Sequence, residues 1–175
     1  TKLSESMNPE DNFKFINGYL SRMEPAILEN NGFIDKYIGD AIMALFHGNA
    51  DDAVKGGISM LKRLNRYNKT RQRPERPALK IGIGINTGML MLGTVGGQKR
   101  MDSTAISDAV NLASRVEGLT KIYGVSLLIT DRTFSRLQSP QDYYIRLVDR
   151  VAVKGKRDRI PVFEVFDADP PGIRE

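Results

Sequence analysis

The chain contains no cysteine and a single histidine, His47. The lack of cysteine excludes disulfides, thiolate nucleophiles and thiolate metal sites, and one histidine cannot form a histidine-cluster metal centre. Any metal ion must therefore be held by oxygen ligands. No apolar run is long enough to cross a bilayer, and the first residues have the features of neither a signal peptide nor a transit peptide. We therefore expect a cytoplasmic protein without membrane insertion.

The size and charge of the chain suit one soluble domain that handles anions. Its 175 residues, 41% of them hydrophobic, can bury one core of ordinary size. Basic residues number 26 against 21 acidic ones, giving a net charge of +5. This balance favours phosphate-containing ligands, but it does not separate a nucleotide from a nucleic acid.

The apolar spacing predicts an α+β order of helix, hairpin, helix, hairpin, helix, strand, helix, hairpin. The first helix is predicted to begin at Asn8-Pro9, to kink at Pro25 and to stop at Asn31-Gly32. The second helix is predicted to open at Asp51 and to give way to a basic loop over residues 66–77. The later strands are predicted over residues 79–85, 89–95, 125–130, 144–153 and 160–166, and the later helices from near Ser107 and over residues 131–137. The chain begins with a helix and not with a strand, which leaves the sheet short of one neighbouring strand. The true first strand is therefore expected to be missing and to precede Thr1.

A tight turn joins two alternating apolar strands in residues 33–46, FIDKYIGDAIMALF. This pattern places Asp40 at the tip of a hairpin. Aspartate is a common turn residue, and its carboxylate is also an oxygen ligand for Mg²⁺ beside phosphates, so both interpretations stay open. Lys36, on the strand that leads to the tip, is either a solvated edge lysine or a ligand-binding one.

Asn111 and Arg115 lie four residues apart on a predicted helix, so the amide and the guanidinium project from one face. Ser107 and Ser114 share this polar face, which is either turned to solvent or used for binding. Asparagine is a mediocre residue inside a helix, which makes the position notable. A guanidinium can neutralise charge that develops on two phosphate oxygens during a displacement at phosphorus.

Two glycine-containing segments could contact phosphate. Lys154 begins the sequence Lys-Gly-Lys-Arg, which is either a charged hairpin turn or a flexible phosphate clamp. Residues 93–100, GTVGGQKR, look like a phosphate-binding glycine loop but lack the GxxxxGK[ST] spacing. The sequence therefore does not predict a Walker-type site.

Taken together, these stretches resemble the catalytic domain of class III adenylate and guanylate cyclases from about Thr1 to Phe166. The hairpin of residues 33–46 resembles the family's central hairpin. Three motifs follow in the family's order and spacing: IGIGINTG at residues 81–88, DAVNLASR at residues 108–115 and VKGK at residues 153–156. The resemblance implies a ferredoxin-like α+β sheet covered by helices. It also implies a catalytic domain over residues 1–167, a tail over residues 168–175, and a head-to-tail homodimer with its sites at the interface.

The resemblance further implies roles for six residues at matching positions. They are the metal ligand Asp40, the base-selecting Lys36 and Thr104, the transition-state pair Asn111 and Arg115, and the triphosphate-binding Lys154. Two Mg²⁺ or Mn²⁺ ions are implied at each site. The family's first metal-binding aspartate would lie just before Thr1, and nothing in this chain corresponds to it.

The base-selecting positions favour ATP as the substrate. A lysine at position 36 resembles adenylate cyclases, whereas guanylate cyclases usually carry glutamate there. Lysine donates a hydrogen bond to an acceptor ring nitrogen of adenine, while glutamate would accept one from the N–H of guanine. Thr104, where many relatives carry aspartate, resembles a branch that includes bicarbonate-responsive enzymes, and its hydroxyl can accept from the adenine amino group. We therefore expect conversion of ATP to 3′,5′-cyclic AMP and pyrophosphate.

Three alternatives stand beside this expectation: a guanylate cyclase, a catalytically inactive cyclase-like domain that binds nucleotide, and a nucleic-acid-binding domain that uses the basic residues 62–76. The retained set of family residues argues against the inactive domain. The lack of interleaved aromatic residues other than Tyr67 argues against nucleic acid. Regulatory or sensor domains are expected on the N-terminal side, outside this chain.

Overall fold

A computed structural model describes residues 9–70, 78–90, 92–95, 98–101, 108–152 and 159–169. The helices in these ranges are α1 (Pro9–Glu29), α2 (Ala50–Thr70), α3 (Asp108–Tyr123) and α4 (Asp131–Arg136), with a 3-10 turn at Pro140–Asp142. The strands are β1 (Gly32–Ile38), β2 (Ala41–Phe46), β3 (Ile83–Ile85), β4 (Leu92–Val95), β5 (Gln98–Met101), β6 (Leu127–Thr130), β7 (Ile145–Ala152) and β8 (Arg159–Val165). The predicted α+β organisation is confirmed.

The first hairpin forms as the sequence predicts. Strands β1 and β2 pair antiparallel, with Ile38 opposite Ala41, so the connection is a two-residue turn. Gly39 has φ 62°, a left-handed conformation that glycine adopts without steric cost. Asp40 therefore occupies the tip of the hairpin, as expected.

Helix α2 is longer than the sequence predicts. It runs to Thr70, so the prediction of a loop is wrong for residues 66–70, while residues 71–77 lie outside the described part of the chain. The cause is packing against α1: the Arg22 guanidinium of α1 lies 5.1 Å from the centre of the Tyr67 ring. Contact with a neighbouring helix stabilises a polar stretch that has little apolar periodicity of its own.

A mixed sheet has the strand order β3-β6-β8-β7, in which β3 and β6 are parallel and the other pairs are antiparallel. The closing hairpin of β7 and β8 is confirmed. The predicted hairpin between residues 79–85 and 89–95 is wrong, because β3 pairs with β6 and β4 pairs with β5. Parallel pairing needs a long crossover, which α3 supplies, and apolar alternation alone does not identify a strand's partner.

The strand predicted over residues 79–85 is also shorter than expected. The side chain of Asn68 makes two hydrogen bonds to the backbone of Leu79: it donates to the carbonyl at 2.9 Å and accepts from the N–H at 2.8 Å. The backbone groups of Leu79 are thereby used by a side chain rather than by a neighbouring strand. The described β3 has one hydrogen-bonded strand neighbour, β6, and the expected additional first strand stays a prediction.

Strand β6 lies between two apolar layers and is buried along its whole length. Leu127 and Ile129 pack with residues of α2, while Leu128 packs with Leu112 and Val116 of α3. Alternate side chains of one strand therefore join the helices on opposite faces of the sheet. This arrangement fixes α3, the helix that carries Asn111 and Arg115, against the sheet.

Helix α3 also lies very close to the backbone of β3. A Cβ atom on Gly84 would clash with the backbone N of Glu117 and would lie 2.6 Å from the carbonyl O of Ala113. On Gly82, it would lie 3.1 Å from the Cβ of Thr120. The glycine positions of this strand therefore admit a helix backbone.

We predict that Gly84→Ala lowers the free energy of unfolding by about 1–3 kcal/mol, because the new methyl group overlaps helix backbone that cannot rotate away. The matched control is Gly118→Ala on the outer side of α3, where no neighbouring atom lies within 4 Å of the added Cβ. That variant should be more stable by about 0.5–1 kcal/mol, the difference in helix propensity. Urea unfolding measures both values, and equal effects would contradict the close packing.

Candidate active site

The hairpin tip brings an exposed carboxylate, that of Asp40, near two helices. Burial raises the pKa of Tyr19 on α1 to about 12, and the negative charge of Asp40 adds to that increase. Desolvation likewise raises the pKa of Glu117 on α3, with a further increase caused by Asp40. The effect of one charge on both groups indicates that the tip lies near α1 and α3.

Lys36 lies on the exposed outer part of the same hairpin. It pairs with Met43 across the ladder, just after a shift of register between Ile34 and Lys36. Such an irregularity changes the direction of the side chains that follow it. All residues from Lys36 to Ala41 are exposed, so this end of the hairpin presents an ammonium group and a carboxylate to the surroundings.

Helix α3 presents Asn111 and Arg115 on its exposed side, whereas Leu112 and Val116, the residues that directly follow each of them, are buried. The prediction that the amide and the guanidinium share one helical face is confirmed. Glu117 lies about 200° around the helix axis from Arg115. Asn111 and Arg115 therefore project from a different side of α3 from Glu117, the residue whose pKa the charge of Asp40 raises.

Two predicted site residues cannot be placed. Thr104 and Lys154 lie outside the described residues, so their positions relative to the hairpin and to α3 stay predictions. The roles assigned to Lys36, Asp40 and the pair on α3 also stay predictions, because exposure alone does not define a function.

The carboxylate of Asp40 suits a metal ion whose coordination shell is completed by a bound ligand. Within the described ranges, no group of three or more histidine, aspartate or glutamate side chains is arranged as a metal cage. Mg²⁺ commonly binds one or two protein carboxylates and completes its shell with water and substrate phosphates. The exposed oxygen atoms of Asp40 fit that kind of site.

One polar side chain that contacts α3 was not among the residues predicted from the sequence. Asn86, directly after β3, donates from Nδ2 to the carbonyl of Ala109 at 3.0 Å and accepts from the Thr130 hydroxyl at 2.7 Å. A signal for it was present, because Asn86 continues the alternation of Gly82 and Gly84 along one side of the strand.

The helices of the described ranges include none that combines the length and the apolar character needed to cross a membrane.

The family comparison agrees with these features. The model of the adenylate and guanylate cyclase catalytic domain matches residues 1–165 of this chain. The chain therefore belongs to this family, and the resemblance inferred from the four motifs is confirmed.

Two similar proteins are named adenylate cyclases. An adenylate cyclase of Anabaena cylindrica is 48% identical over 171 residues, which cover 94% of this chain and 34% of that protein. The terminal-differentiation specific adenylate cyclase of Dictyostelium discoideum is 42% identical over 175 residues, which cover 97% of this chain and 8% of that protein. The chain thus spans about a third or less of the length of these relatives.

A solved structure supports the fold. The crystal structure of the adenylyl cyclase CyaB from P. aeruginosa is 30% identical and superposes with a TM-score of 0.73, covering 95% of this chain and 87% of that one. The α+β cyclase fold is therefore confirmed.

We predict that Asn111→Ala and Arg115→Ala each change the free energy of unfolding by less than about 0.5 kcal/mol, because both side chains are exposed. The control on the same helix is Leu112→Ala, which should cost about 2–5 kcal/mol since that side chain is 8% exposed. Denaturant unfolding of the three variants makes the comparison. A large loss for either exposed residue would mean that it supports the fold.

Proposed function

We propose that this chain is the catalytic domain of an adenylate cyclase, which converts ATP to 3′,5′-cyclic AMP and pyrophosphate at a homodimer interface. The observation that carries the proposal is the 48% identity to an adenylate cyclase over 94% of the chain. The exposed hairpin tip and the exposed face of α3 support it, because they offer the residue types that this reaction needs. The proposed catalytic domain spans residues 1–167, with a tail over residues 168–175.

In the proposed reaction, the 3′-oxygen of ATP attacks the α-phosphorus of the same molecule. A bond forms between that oxygen and phosphorus while the hydroxyl proton passes to solvent water, the bond from the α-phosphorus to the bridging oxygen breaks, and pyrophosphate leaves. Asp40 would hold Mg²⁺ or Mn²⁺, two ions per site, together with a carboxylate that the family places before Thr1. The bound ions would lower the pKa of the attacking hydroxyl and neutralise phosphate charge.

The side chains of α3 would act on the reacting atoms themselves. Arg115 would donate hydrogen bonds to the α-phosphate oxygens as negative charge increases on them. Asn111 would orient the ribose so that its 3′-oxygen faces the phosphorus in line with the leaving group. Lys154 would hold the leaving pyrophosphate by charge. Each of these groups contributes position and electrostatic stabilisation, and none forms a covalent bond.

The two halves of the site are proposed to come from different protomers. Glu117, the residue of α3 whose pKa the charge of Asp40 raises, lies on a different side of the helix from Arg115, which supports a site divided between two chains. Tyr37 and Ile38, beside the hairpin tip, are 49% and 60% exposed. Large exposed apolar side chains next to a functional carboxylate are typical of a surface that another chain covers. We therefore infer a head-to-tail homodimer and expect the monomer to be inactive.

Lys36 and Thr104 would select the base. The ammonium group of Lys36 would donate to a ring nitrogen of adenine, and the Thr104 hydroxyl would accept from the adenine amino group. Similarity to adenylate cyclases favours ATP over GTP. We further propose a cytoplasmic location and regulatory or sensor domains in the remaining length that the relatives have.

A turnover assay tests the activity directly. The full-length protein is supplied with ATP or GTP and with Mg²⁺ or Mn²⁺, and both cyclic nucleotide and pyrophosphate are measured. We expect cyclic AMP to form from ATP faster than cyclic GMP forms from GTP. Binding of ATP without turnover would instead support an inactive nucleotide-binding domain.

We predict that Asp40→Ala and Arg115→Ala each lower kcat by about 100-fold or more when present alone. Mixing the two variants should restore about a quarter of the wild-type activity, because half of the randomly paired dimers are mixed and each mixed dimer has one complete site of two. The control is a mixture of Asp40→Ala with wild-type protein at the same total concentration. Failure of the two inactive variants to restore activity would contradict a site shared between protomers.

We predict that Lys36→Glu lowers the ratio of kcat/KM for ATP to that for GTP by at least about 10-fold, because the donor that matches adenine becomes an acceptor that matches guanine. Lys55→Glu is the control, since Lys55 is an exposed lysine on α2 and the variant makes the same change of charge. An unchanged ratio in Lys36→Glu would remove this residue from base selection.

A further inference from the structure

The face of β3 that meets α3 is nearly smooth. Residues 82, 84, 86 and 88 alternate along one side of the chain, and three of them are glycine. A Cβ on Gly84 would overlap the backbone of α3, and a Cβ on Gly88 would lie 2.7 Å from the Cβ of Ala109. A glycine row brings the helix close but offers few side chains that could stop it from sliding along the strand.

Asn86 is the exception in this row. Its Nδ2 donates to the carbonyl of Ala109 at 3.0 Å, in the first turn of α3. Its Oδ1 accepts from the hydroxyl of Thr130 at 2.7 Å. Both ends of the amide are therefore used, and the side chain joins the helix to the sheet.

The sheet side of this connection is held firmly. Thr130 is fully buried at the end of β6 and caps α4, where its hydroxyl also accepts from the N–H of Thr133 at 3.5 Å. Thr133 is fully buried too, and its hydroxyl lies 3.0 Å from that of Thr87. The Thr130 hydroxyl thus donates to Asn86 and accepts from the backbone N–H of Thr133.

The helix side of the connection leads to the site. Ala109 precedes Asn111 by two residues and Arg115 by six, all within α3. A helix is stiff over this length, so displacement of its first turn moves both exposed side chains together. The amide bond of Asn86 to Ala109 is thus placed to fix where these side chains project.

We propose that Asn86 is a positioning residue for the reaction: through its bonds to Ala109 and Thr130, it fixes the placement of α3 along β3 and thereby the placement of Asn111 and Arg115. This inference rests on the proposed cyclase activity. Asn86 contacts no substrate in this scheme and acts through α3.

The first test is the effect of Asn86→Ala on kcat and KM in the full-length protein. Misplacement of Asn111 and Arg115 should lower kcat by about 10- to 100-fold. The KM for ATP should stay within about threefold, because Lys36 and Lys154 do not lie on α3. Asn86→Asp should lower kcat similarly, since it keeps the acceptor for Thr130 but loses the donor to Ala109.

The matched control is Asn68→Ala. Asn68 also makes two hydrogen bonds, both to the backbone of Leu79, and it lies on α2 rather than behind α3. This variant should lose stability without a fall in kcat of the folded protein. A purely structural role for Asn86 predicts the same result for Asn86→Ala, and kcat within twofold of wild type in an active enzyme would overturn the proposal.

Hydrogen–deuterium exchange supplies a readout that does not need activity. Asn86→Ala should speed exchange of amides in residues 112–118 of α3 by about 10-fold relative to amides of α2, and Asn68→Ala should not. If wild-type protein cyclises neither ATP nor GTP, the proposed function fails, and unchanged exchange in α3 would then also overturn the positioning role. If Asn86→Ala does not fold, Asn86→Asp, which loses only the donor to Ala109, takes its place, and the same measurements decide.

Discussion

The rest of the site depends on the close contact between α3 and the backbone of β3. Gly82 and Gly84 remove the side chains that would separate a helix from a strand, so the helix backbone itself meets the strand. Leu112 and Val116 then reach the buried strand β6, and the opposite side of the helix is left exposed. The close contact between α3 and β3 therefore sets how near the helix lies to the sheet and which side of the helix carries its exposed polar side chains.

The proposed reaction divides its tasks between a turn and a helix. Asp40 lies at the end of a two-residue hairpin turn, where a carboxylate is exposed enough to meet a metal ion and a triphosphate. Arg115 lies on a packed helix, where its backbone is held against the sheet. In this proposal, cation binding would fall to an exposed tip and charge stabilisation to a rigid element, which agrees with the need for positioned donors in electrostatic catalysis.

Membership in the cyclase family and the fold follow from the match over residues 1–165 and from a TM-score of 0.73 to a solved adenylyl cyclase. Choice of ATP, use of two metal ions and sharing of the site between protomers are proposals on residues of this chain. Lys36 and Asp40 are both exposed on one hairpin, so variants at these two positions test the proposed base selection and the proposed metal binding separately.

Local patterns in the sequence determined the elements and the exposed faces. The Gly39-Asp40 turn, the four-residue spacing of Asn111 and Arg115 and the closing hairpin were all predictable, because turn conformation and helical or strand periodicity depend on neighbouring residues. Tertiary structure alone decided the extension of α2 through Tyr67, the parallel pairing of β3 with β6 and the bond from Asn86 to α3. Those features join residues far apart in the chain, and a local pattern carries no information on which distant surface supplies the partner.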